Sequence, residues 1–212
     1  MAVAFRASAS NANPSSNSLT VNIPAGTQNG DIMIAVFEIS ISISNEINTP
    51  SGWTLLDNAA SVGPNVASYW RVASAEPASY TWTFSATNAV SGIIASYSGG
   101  GSIDTHGAFN RTTSSTSITA NSISTAIDGD MLVFVVGCSA AETSYTGPAG
   151  FTQRATPSTA GGACLLADML QTTHGATGSV TTTAASSANT NASLIAIAPG
   201  VAATPDTVII VE

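Results

Sequence analysis

The stretch Gly30-Asp31-Ile32-Met33-Ile34-Ala35-Val36-Phe37 decides the fold of this chain. A Gly-Asp turn leads into a run of apolar, mostly β-favouring residues, and this pattern predicts a buried strand. The pattern returns about 99 residues later as Gly129-Asp130-Met131-Leu132-Val133-Phe134-Val135-Val136. The two copies indicate a duplicated β-structure, and neither carries a motif for a known reaction.

The composition favours an all-β protein with an uncharged surface. Hydrophobic residues make up 44% of the 212 residues, which is enough for a substantial core. Charged residues make up only 8%, against roughly 25% in an average soluble domain. The polar surface must therefore come from Ser, Thr, Asn and Gly, and Ser and Thr fit a pleated strand well. No segment has the composition of a long helix.

The charge excludes nucleic acid as an expected partner. The chain has no lysine, its basic residues are Arg6, Arg71, Arg111 and Arg154, and its net charge is -8. Binding to a phosphate backbone requires clustered cations. A P-loop for nucleotide phosphates requires a lysine.

The N-terminal residues predict no export signal. Ala2 to Ser10 lacks the charged-then-apolar pattern of a signal peptide. No apolar run reaches the roughly 20 residues that cross a bilayer. We therefore expect no membrane insertion. The chain would either be used without Sec export, as a protein that is assembled in the cytoplasm of a host cell and released by lysis would be, or be written without its leader.

Alternating apolar residues predict the strands of the first half. Leu19, Val21 and Ile23 alternate with polar residues, and Asn13 to Asn17 is expected to form a loop. Tyr80, Trp82 and Phe84 predict one strand, and Gly92 to Tyr97 predicts another. The central strand is expected to bury one face throughout and its second face only near Asp31. The buried face would be formed by Met33, Ala35, Phe37, Ile39, Ile41 and Ile43.

Six segments of the second half repeat segments of the first in the same order. They begin with Ser117-Ile118-Thr119, which corresponds to Ser18-Leu19-Thr20, and end with Leu194-Ile195-Ala196, which corresponds to Ile93-Ile94-Ala95. Regular short strands separated by turns predict an all-β fold of two tandem β-sandwich repeats, jelly-roll or Ig-like, each about 100 residues long. The repeats would span residues 1–100 and 101–200.

Residues 201–212 lie outside the repeat. Within them Thr207-Val208-Ile209-Ile210-Val211 predicts an extra C-terminal strand. A free apolar strand would be prone to aggregation, so we expect it to pair with its own sheet or with a neighbouring subunit.

Cys138 and Cys164 are the only cysteines. In the repeat comparison they take the places of Ile39 and Val66, so buried free thiols are the favoured interpretation. A disulfide remains the alternative, ahead of a metal-binding or catalytic role.

No set of residues predicts catalysis or a bound cofactor. The chain lacks a Gly-x-Ser-x-Gly nucleophile motif, and no pair of carboxylates indicates a glycosidase. His106 and His174 are expected in exposed loops, and the Cys and His residues lack zinc spacing. We therefore expect no catalytic, cofactor-binding or metal-binding residues.

Calcium is the one metal that the acidic residues leave open. Asp128 and Asp130 are two residues apart, and Asp31 and Asp130 could each supply one oxygen. No consensus loop for calcium is present. An Asp in a turn that leads into a strand is the ordinary interpretation.

The aromatic residues allow two interpretations. They could stack on sugars, but Tyr80 and Trp82 alternate on one face with Phe84, as core residues do, so core packing is favoured. The set comprises Trp53, Trp70, Trp82, Tyr69 and Tyr80.

Several motifs resemble those of a family of tandem β-sandwich proteins found in bacteriophage virions and in bacterial surface or secreted proteins. They are structural motifs between about residues 15 and 199, and no catalytic residue is carried over with them. The main ones are Ile23-Pro24-Ala25-Gly26-Thr27-Gln28-Asn29-Gly30-Asp31, Pro50-Ser51-Gly52-Trp53-Thr54-Leu55-Leu56, Tyr69-Trp70-Arg71-Val72-Ala73, Glu76-Pro77-Ala78-Ser79-Tyr80, Tyr97-Ser98-Gly99, Leu166-Ala167-Asp168 and Gly175-Ala176-Thr177-Gly178.

The leading hypothesis is a non-enzymatic bacteriophage structural protein that decorates the capsid or forms part of the tail surface. Its partners would be other virion proteins and copies of itself. The alternative is a carbohydrate-binding or adhesin module, extracellular or at a cell surface, that attaches to host glycans. An enzyme such as a surface depolymerase is the third hypothesis, which the missing acid–base pair disfavours.

Overall fold

A computed structural model gives the fold and describes residues 1–40, 47–59, 63–141 and 144–200. These residues form antiparallel sheets and contain no helix, which confirms the predicted all-β class. Within the described ranges there is accordingly no helix long and apolar enough to cross a membrane.

The first sheet has the strand order β1-β6-β2-β5-β4, and β3 pairs with β6. Its strands are β1 (Ala4–Asn22), β2 (Ile32–Ile39), β3 (Ile47–Asn48), β4 (Thr54–Ala59), β5 (Asn65–Val72) and β6 (Ser79–Ser98). The predicted central strand is β2, which lies between β5 and β6.

The second sheet has the order β11-β15-β10-β13-β12, and β7 and β8 both pair with β15. Its strands are β7 (Gly100–His106), β8 (Asn110–Ala120), β10 (Asp130–Cys138), β11 (Tyr145–Thr146), β12 (Thr152–Ala155), β13 (Ala163–Gln171) and β15 (Val180–Pro199). A small separate sheet pairs β9 (Ser124–Thr125) with β14 (Gly175–Ala176).

Two strands of the first sheet are longer than the sequence suggested. The predicted loop from Asn13 to Asn17 lies inside β1, where register shifts near Ser16 keep the strand paired with β6. The strands predicted around Trp82 and at 92–97 are parts of the same 20-residue β6. Both predictions of a break were wrong because a bulge lets polar residues continue along a strand.

Apolar residues among the described ranges fill three large clusters and one small cluster around Cys138. The central large cluster lies where the two sheets face each other, and it combines alternate residues of β2, such as Ile34, with alternate residues of β10, such as Val133. The other two large clusters contain Phe37 on the other face of the first sheet and Phe134 on the other face of the second. Consequently β2 and β10 are buried on both faces along their whole length.

The prediction for the second face of β2 was therefore wrong. That face stays buried as far as Glu38, which is 0% exposed, because the second sheet covers it. Ile41, Ile43 and the predicted C-terminal strand at 207–211 lie outside the described residues.

Candidate functional site: buried carboxylates at the strand starts

The two Gly-Asp turns place one buried carboxylate at the start of each central strand. Asp31 is 3% exposed and Asp130 is 0% exposed. Gly30 and Gly129 precede them with φ angles of 89° and 84°, a conformation that favours glycine. The repeated motif thus specifies the turn and delivers an acidic group into the interior.

Asp31 is neutralised by an arginine. Its carboxylate accepts hydrogen bonds from Arg6 Nε at 2.5 Å and Nη2 at 2.9 Å. It also accepts bonds from the Gln28 backbone N–H and the Ser96 hydroxyl. Burial alone would raise the pKa of Asp31, but these bonds together lower it below its usual value. Asp31 is therefore a satisfied structural anion.

Asp130 has no such partner. No N–H or hydroxyl group of a described residue donates to either of its carboxylate oxygens, so a hydrogen bond to the neighbouring Asp104 requires a proton shared by the two acids. Its charged neighbour is Asp104, another acid, whose Oδ2 accepts a bond from the Ala126 N–H at 2.7 Å. Burial and the neighbouring Asp104 carboxyl raise the pKa of Asp130 to about 7. Two acids therefore face each other where the first half has an ion pair.

Asp104 occupies the position in the second sheet that Arg6 occupies in the first. Phe5 pairs with Tyr97, which pairs with Ile32. Ile103 pairs with Ile197, which pairs with Met131. In both sheets the register shifts at the next residue, which is Arg6 in β1 and Asp104 in β7. The exchange of a cation for an anion at one bulge is the main chemical difference between the two sites.

The structure separates Asp128 from Asp130, the pair considered for calcium in the sequence. Asp128 is exposed, and its Oδ1 accepts bonds from the backbone N–H of His174 at 2.7 Å and lies 2.7 Å from His174 Nδ1. The hydrogen bond from the His174 backbone, followed by that from its ring, lowers the pKa of Asp128. His106 is also exposed, so both histidines lie at the surface as predicted, but His106 is the last residue of β7 and not part of a loop.

A second buried acid, Glu38, lies at the other end of β2. Its Oε1 accepts a bond from Ser40 Oγ at 2.6 Å, whereas no described residue donates to Oε2. Burial raises the pKa of Glu38 well above its usual range, although bonds from Ser40 and Ser91 act in the opposite direction. The Gly161 carbonyl is a second acceptor for the single Ser40 hydroxyl proton, and this contact connects this end of β2 to the second half.

Both cysteines are free and buried, in agreement with the favoured interpretation. Cys164 Sγ lies 3.2 Å from Ser91 Oγ in the contact between the sheets. Burial and then the nearby Glu38 carboxyl raise the pKa of the Cys164 thiol, so the reactive thiolate is disfavoured.

Most of the aromatic residues considered for sugar stacking belong to the core. Trp53, Trp82 and Tyr69 are 8%, 0% and 2% exposed. Arg71 lies over the rings of Trp53 and Tyr80, and its Nη2 is 2.9 Å from Glu76 Oε1. Trp70 is half-buried against the central cluster.

Two grooves on the second half are lined by described residues. One is bordered by apolar side chains and hydroxyl groups together, and it lies beside the outer cluster that contains Phe134. Its lining includes Pro148, Phe151, Met169, Thr177, Ser179 and Thr181. The other runs along β11 and β15 and is lined by Tyr145 and Thr183, among others.

In the part of the chain that the structure describes, no group of three or more His, Cys, Asp or Glu residues could hold a metal ion. Sequence reasoning also missed the acids that matter. The sequence patterns singled out neither the acids Asp104 and Glu38 nor the amide of Gln171. An alignment that matched Arg6 with Asp104 would have shown that Asp130 faces an acid where Asp31 faces a base. The match follows only from the bulges at these two residues, which the sequence does not show.

The fold and its buried sites define an all-β protein of two facing antiparallel sheets. No protein-family model, no curated protein and no solved structure matches the chain.

Proposed function

We propose that the chain is a non-enzymatic structural protein of a bacteriophage virion, as a capsid decoration or tail-surface protein. The observation that carries this proposal is the packing of the interior. Both central strands are buried on both faces, and three large apolar clusters and one small cluster fill the space around them. Such a body is a rigid building block with an uncharged polar surface. Its partners are other virion proteins and copies of itself.

A duplicated architecture fits this role, and we propose that residues 1–100 and 101–200 are tandem jelly-roll-like or Ig-like units. Matching side-chain bonds support the duplication. Asn11 Nδ2 donates to the Thr20 carbonyl, and Asn110 Nδ2 donates to the Thr119 carbonyl. The hydroxyl of Thr20 lies 2.7 Å from that of Thr81, and the hydroxyl of Thr119 lies 2.8 Å from that of Thr181.

The edges of the sheets offer surfaces for assembly. The strand orders of the two sheets end at β4 and at β12. An edge strand presents backbone groups that can pair with another chain. Leu55 in β4 is 50% exposed, which adds an apolar contact to that edge.

The test is to locate the chain in purified particles. Virions from a lysate of the source phage are separated on a density gradient, and the fractions are probed with an antibody against the recombinant chain. We expect the chain to sediment with intact particles and gold-labelled antibody to mark the capsid or tail surface. A host cytoplasmic protein serves as the control for trapping. A chain found only in the soluble fractions, like that control, would exclude the proposal.

A carbohydrate-binding or adhesin role is the second candidate, and the groove beside Phe151 favours it. An aromatic ring with neighbouring hydroxyls provides stacking and hydrogen bonds for a sugar. A glycan array compares the wild type with Phe151→Leu, and Trp70→Leu tests the other half-exposed ring. Binding lost in Phe151→Leu alone supports the groove. The absence of binding to every glycan counts against this role.

A further inference from the structure

The start of β10 collects oxygen atoms that no described residue satisfies. Both Asp130 oxygens lack an N–H or hydroxyl donor among the described residues, and so does the buried Oε1 of Gln171. Gln171 is the cross-strand partner of Asp130, so their side chains lie on the same face of the sheet. Asp104 brings a further carboxylate beside Asp130. Acceptors therefore gather here without a donor or a positive charge among the described residues.

The orientation of the Gln171 amide is fixed by its nitrogen. The two N–H groups of Nε2 share three acceptors, namely the Thr125 hydroxyl at 3.2 Å and the carbonyls of Thr173 and Gly175 at 2.9 and 3.3 Å. Because the nitrogen faces all three acceptors, the amide atom without a hydrogen-bond partner is the oxygen. Burying an amide oxygen without a partner is unfavourable. A hydrogen-bond donor or a metal cation would satisfy the lone pairs of this oxygen atom.

The first sheet shows how the same position is satisfied by a cation. There the Arg6 guanidinium neutralises Asp31. The position that Gln171 takes at the end of β13 is taken in the first sheet by Ala73, which directly follows β5 and has no polar side chain. The second sheet replaces the arginine by Asp104 and adds the amide oxygen. Each difference removes a positive charge or adds an acceptor, as expected if a free ion replaces the guanidinium.

We propose that Asp104, Asp130 and the Oε1 atom of Gln171 form a binding site for a divalent cation, Ca²⁺. Carboxylate and amide oxygens are the ligands that calcium prefers, and it takes six to eight of them in flexible geometry. Asp130 and the Gln171 oxygen are buried, so water would supply the remaining ligands from the side of Asp104, which is half-buried. Magnesium is disfavoured because it retains most of its own waters and needs near-ideal octahedral geometry.

The test titrates CaCl₂ into EDTA-treated, dialysed protein in a calorimeter at neutral pH, with MgCl₂ as the comparison. We expect one Ca²⁺ per chain with a Kd of about 0.1–1 mM, the range of exposed extracellular sites. Asp130→Asn and Asp104→Asn should each weaken binding by about tenfold or more. Asp104→Arg recreates the Arg6–Asp31 pair and should abolish binding while the chain stays folded.

Asp128→Asn is the matched control, since Asp128 lies two residues from Asp130 but bonds to exposed His174. It should bind Ca²⁺ like the wild type, and circular dichroism should show every variant folded. Wild-type protein that binds no Ca²⁺, or Asp130→Asn that binds like the wild type, would overturn the proposal. The first result would instead indicate that the two acids share a proton.

Discussion

The hydroxyl of Tyr97 donates a hydrogen bond to Oδ2 of Asp168, 3.2 Å away, and joins the two sheets inside the central core. Asp168 also pairs with Arg154, whose guanidinium lies 4.0 Å from the centre of the Phe5 ring. Phe5 in turn packs edge-on against Tyr97 at 5.8 Å between ring centres. The four side chains form a closed ring, with Phe5 and Tyr97 from the first sheet and Arg154 and Asp168 from the second.

Removing the Tyr97 hydroxyl should weaken this contact between the sheets. Tyr97→Phe keeps the ring but leaves buried Asp168, which is 2% exposed, with one donor fewer. Because hydrogen bonds to charged groups are stronger than those between neutral groups, we expect the free energy of unfolding to fall by about 1–3 kcal/mol. Urea denaturation measures the change, with Ser98→Ala, an exposed hydrogen bond, as the control. Equal effects of the two substitutions would contradict a special role for Tyr97.

A side chain at Gly162 should collide with Glu38. A Cβ atom at this position would overlap Glu38 Oε2 and Ser40 Oγ, whereas a Cβ at Gly147 would meet no atom within 4 Å. We expect Gly162→Ala to destabilise the fold by about 1–3 kcal/mol, as overpacking does, and Gly147→Ala to leave it nearly unchanged.

The overlap can be tested by a double-mutant cycle. Shortening the acid in Glu38→Ala should remove most of the penalty of Gly162→Ala, because the two positions are in contact. Additive effects of the two substitutions would show that Gly162 is required for another reason.

The stability of the fold should depend on pH through Glu38. Its pKa is raised in the folded protein, so its contribution is fully present below the pKa of the unfolded chain and is lost as pH rises toward the folded pKa. We expect Glu38→Gln to match the wild type in acid and to become the more stable protein as pH rises. The difference should grow by at most about 1.4 kcal/mol per pH unit.

Urea denaturation of the two proteins from acid to mildly alkaline pH gives this difference directly. Other acids titrate equally in both proteins and cancel. A stability difference that stays constant with pH would show that Glu38 titrates normally.

Both thiols should be protected in the native protein. Cys138 and Cys164 are 0% exposed, so a chromophoric disulfide reagent should react slowly in buffer and with two thiols per chain in denaturant. Labelling in buffer and labelling in denaturant are both carried out without a reductant. Unfolded protein that yields no thiol until it is reduced would show a disulfide instead.

The repeated Gly-Asp pattern predicted the central strands well because it combines a turn signal with a long apolar run. Trp82 and Phe84 were likewise identified as core residues from their alternation. The sequence could not show that Glu38 is buried, since its burial depends on the second sheet, which packs over it from more than a hundred residues away in the chain. Contacts of that kind leave no periodic signal.

The charge partners were the least predictable part of the site. Arg6 and Asp104 are not adjacent in sequence to the acids they face, and each lies at a bulge that displaces the alternation by one residue. Gln171 also ends its strand with an ordinary polar side chain. Only the register of the neighbouring strands shows that these residues meet Asp31 and Asp130.

The positions of the four arginines affect how readily proteases can cleave the folded chain. Trypsin-like proteases cleave after lysine or arginine, and the chain offers them Arg6, Arg71, Arg111 and Arg154 alone. These lie in β1, β5, β8 and β12, each within a sheet. A protease needs a locally unfolded segment to bind. The folded protein should therefore resist digestion by such enzymes, because each of its few cleavage sites lies in a paired strand.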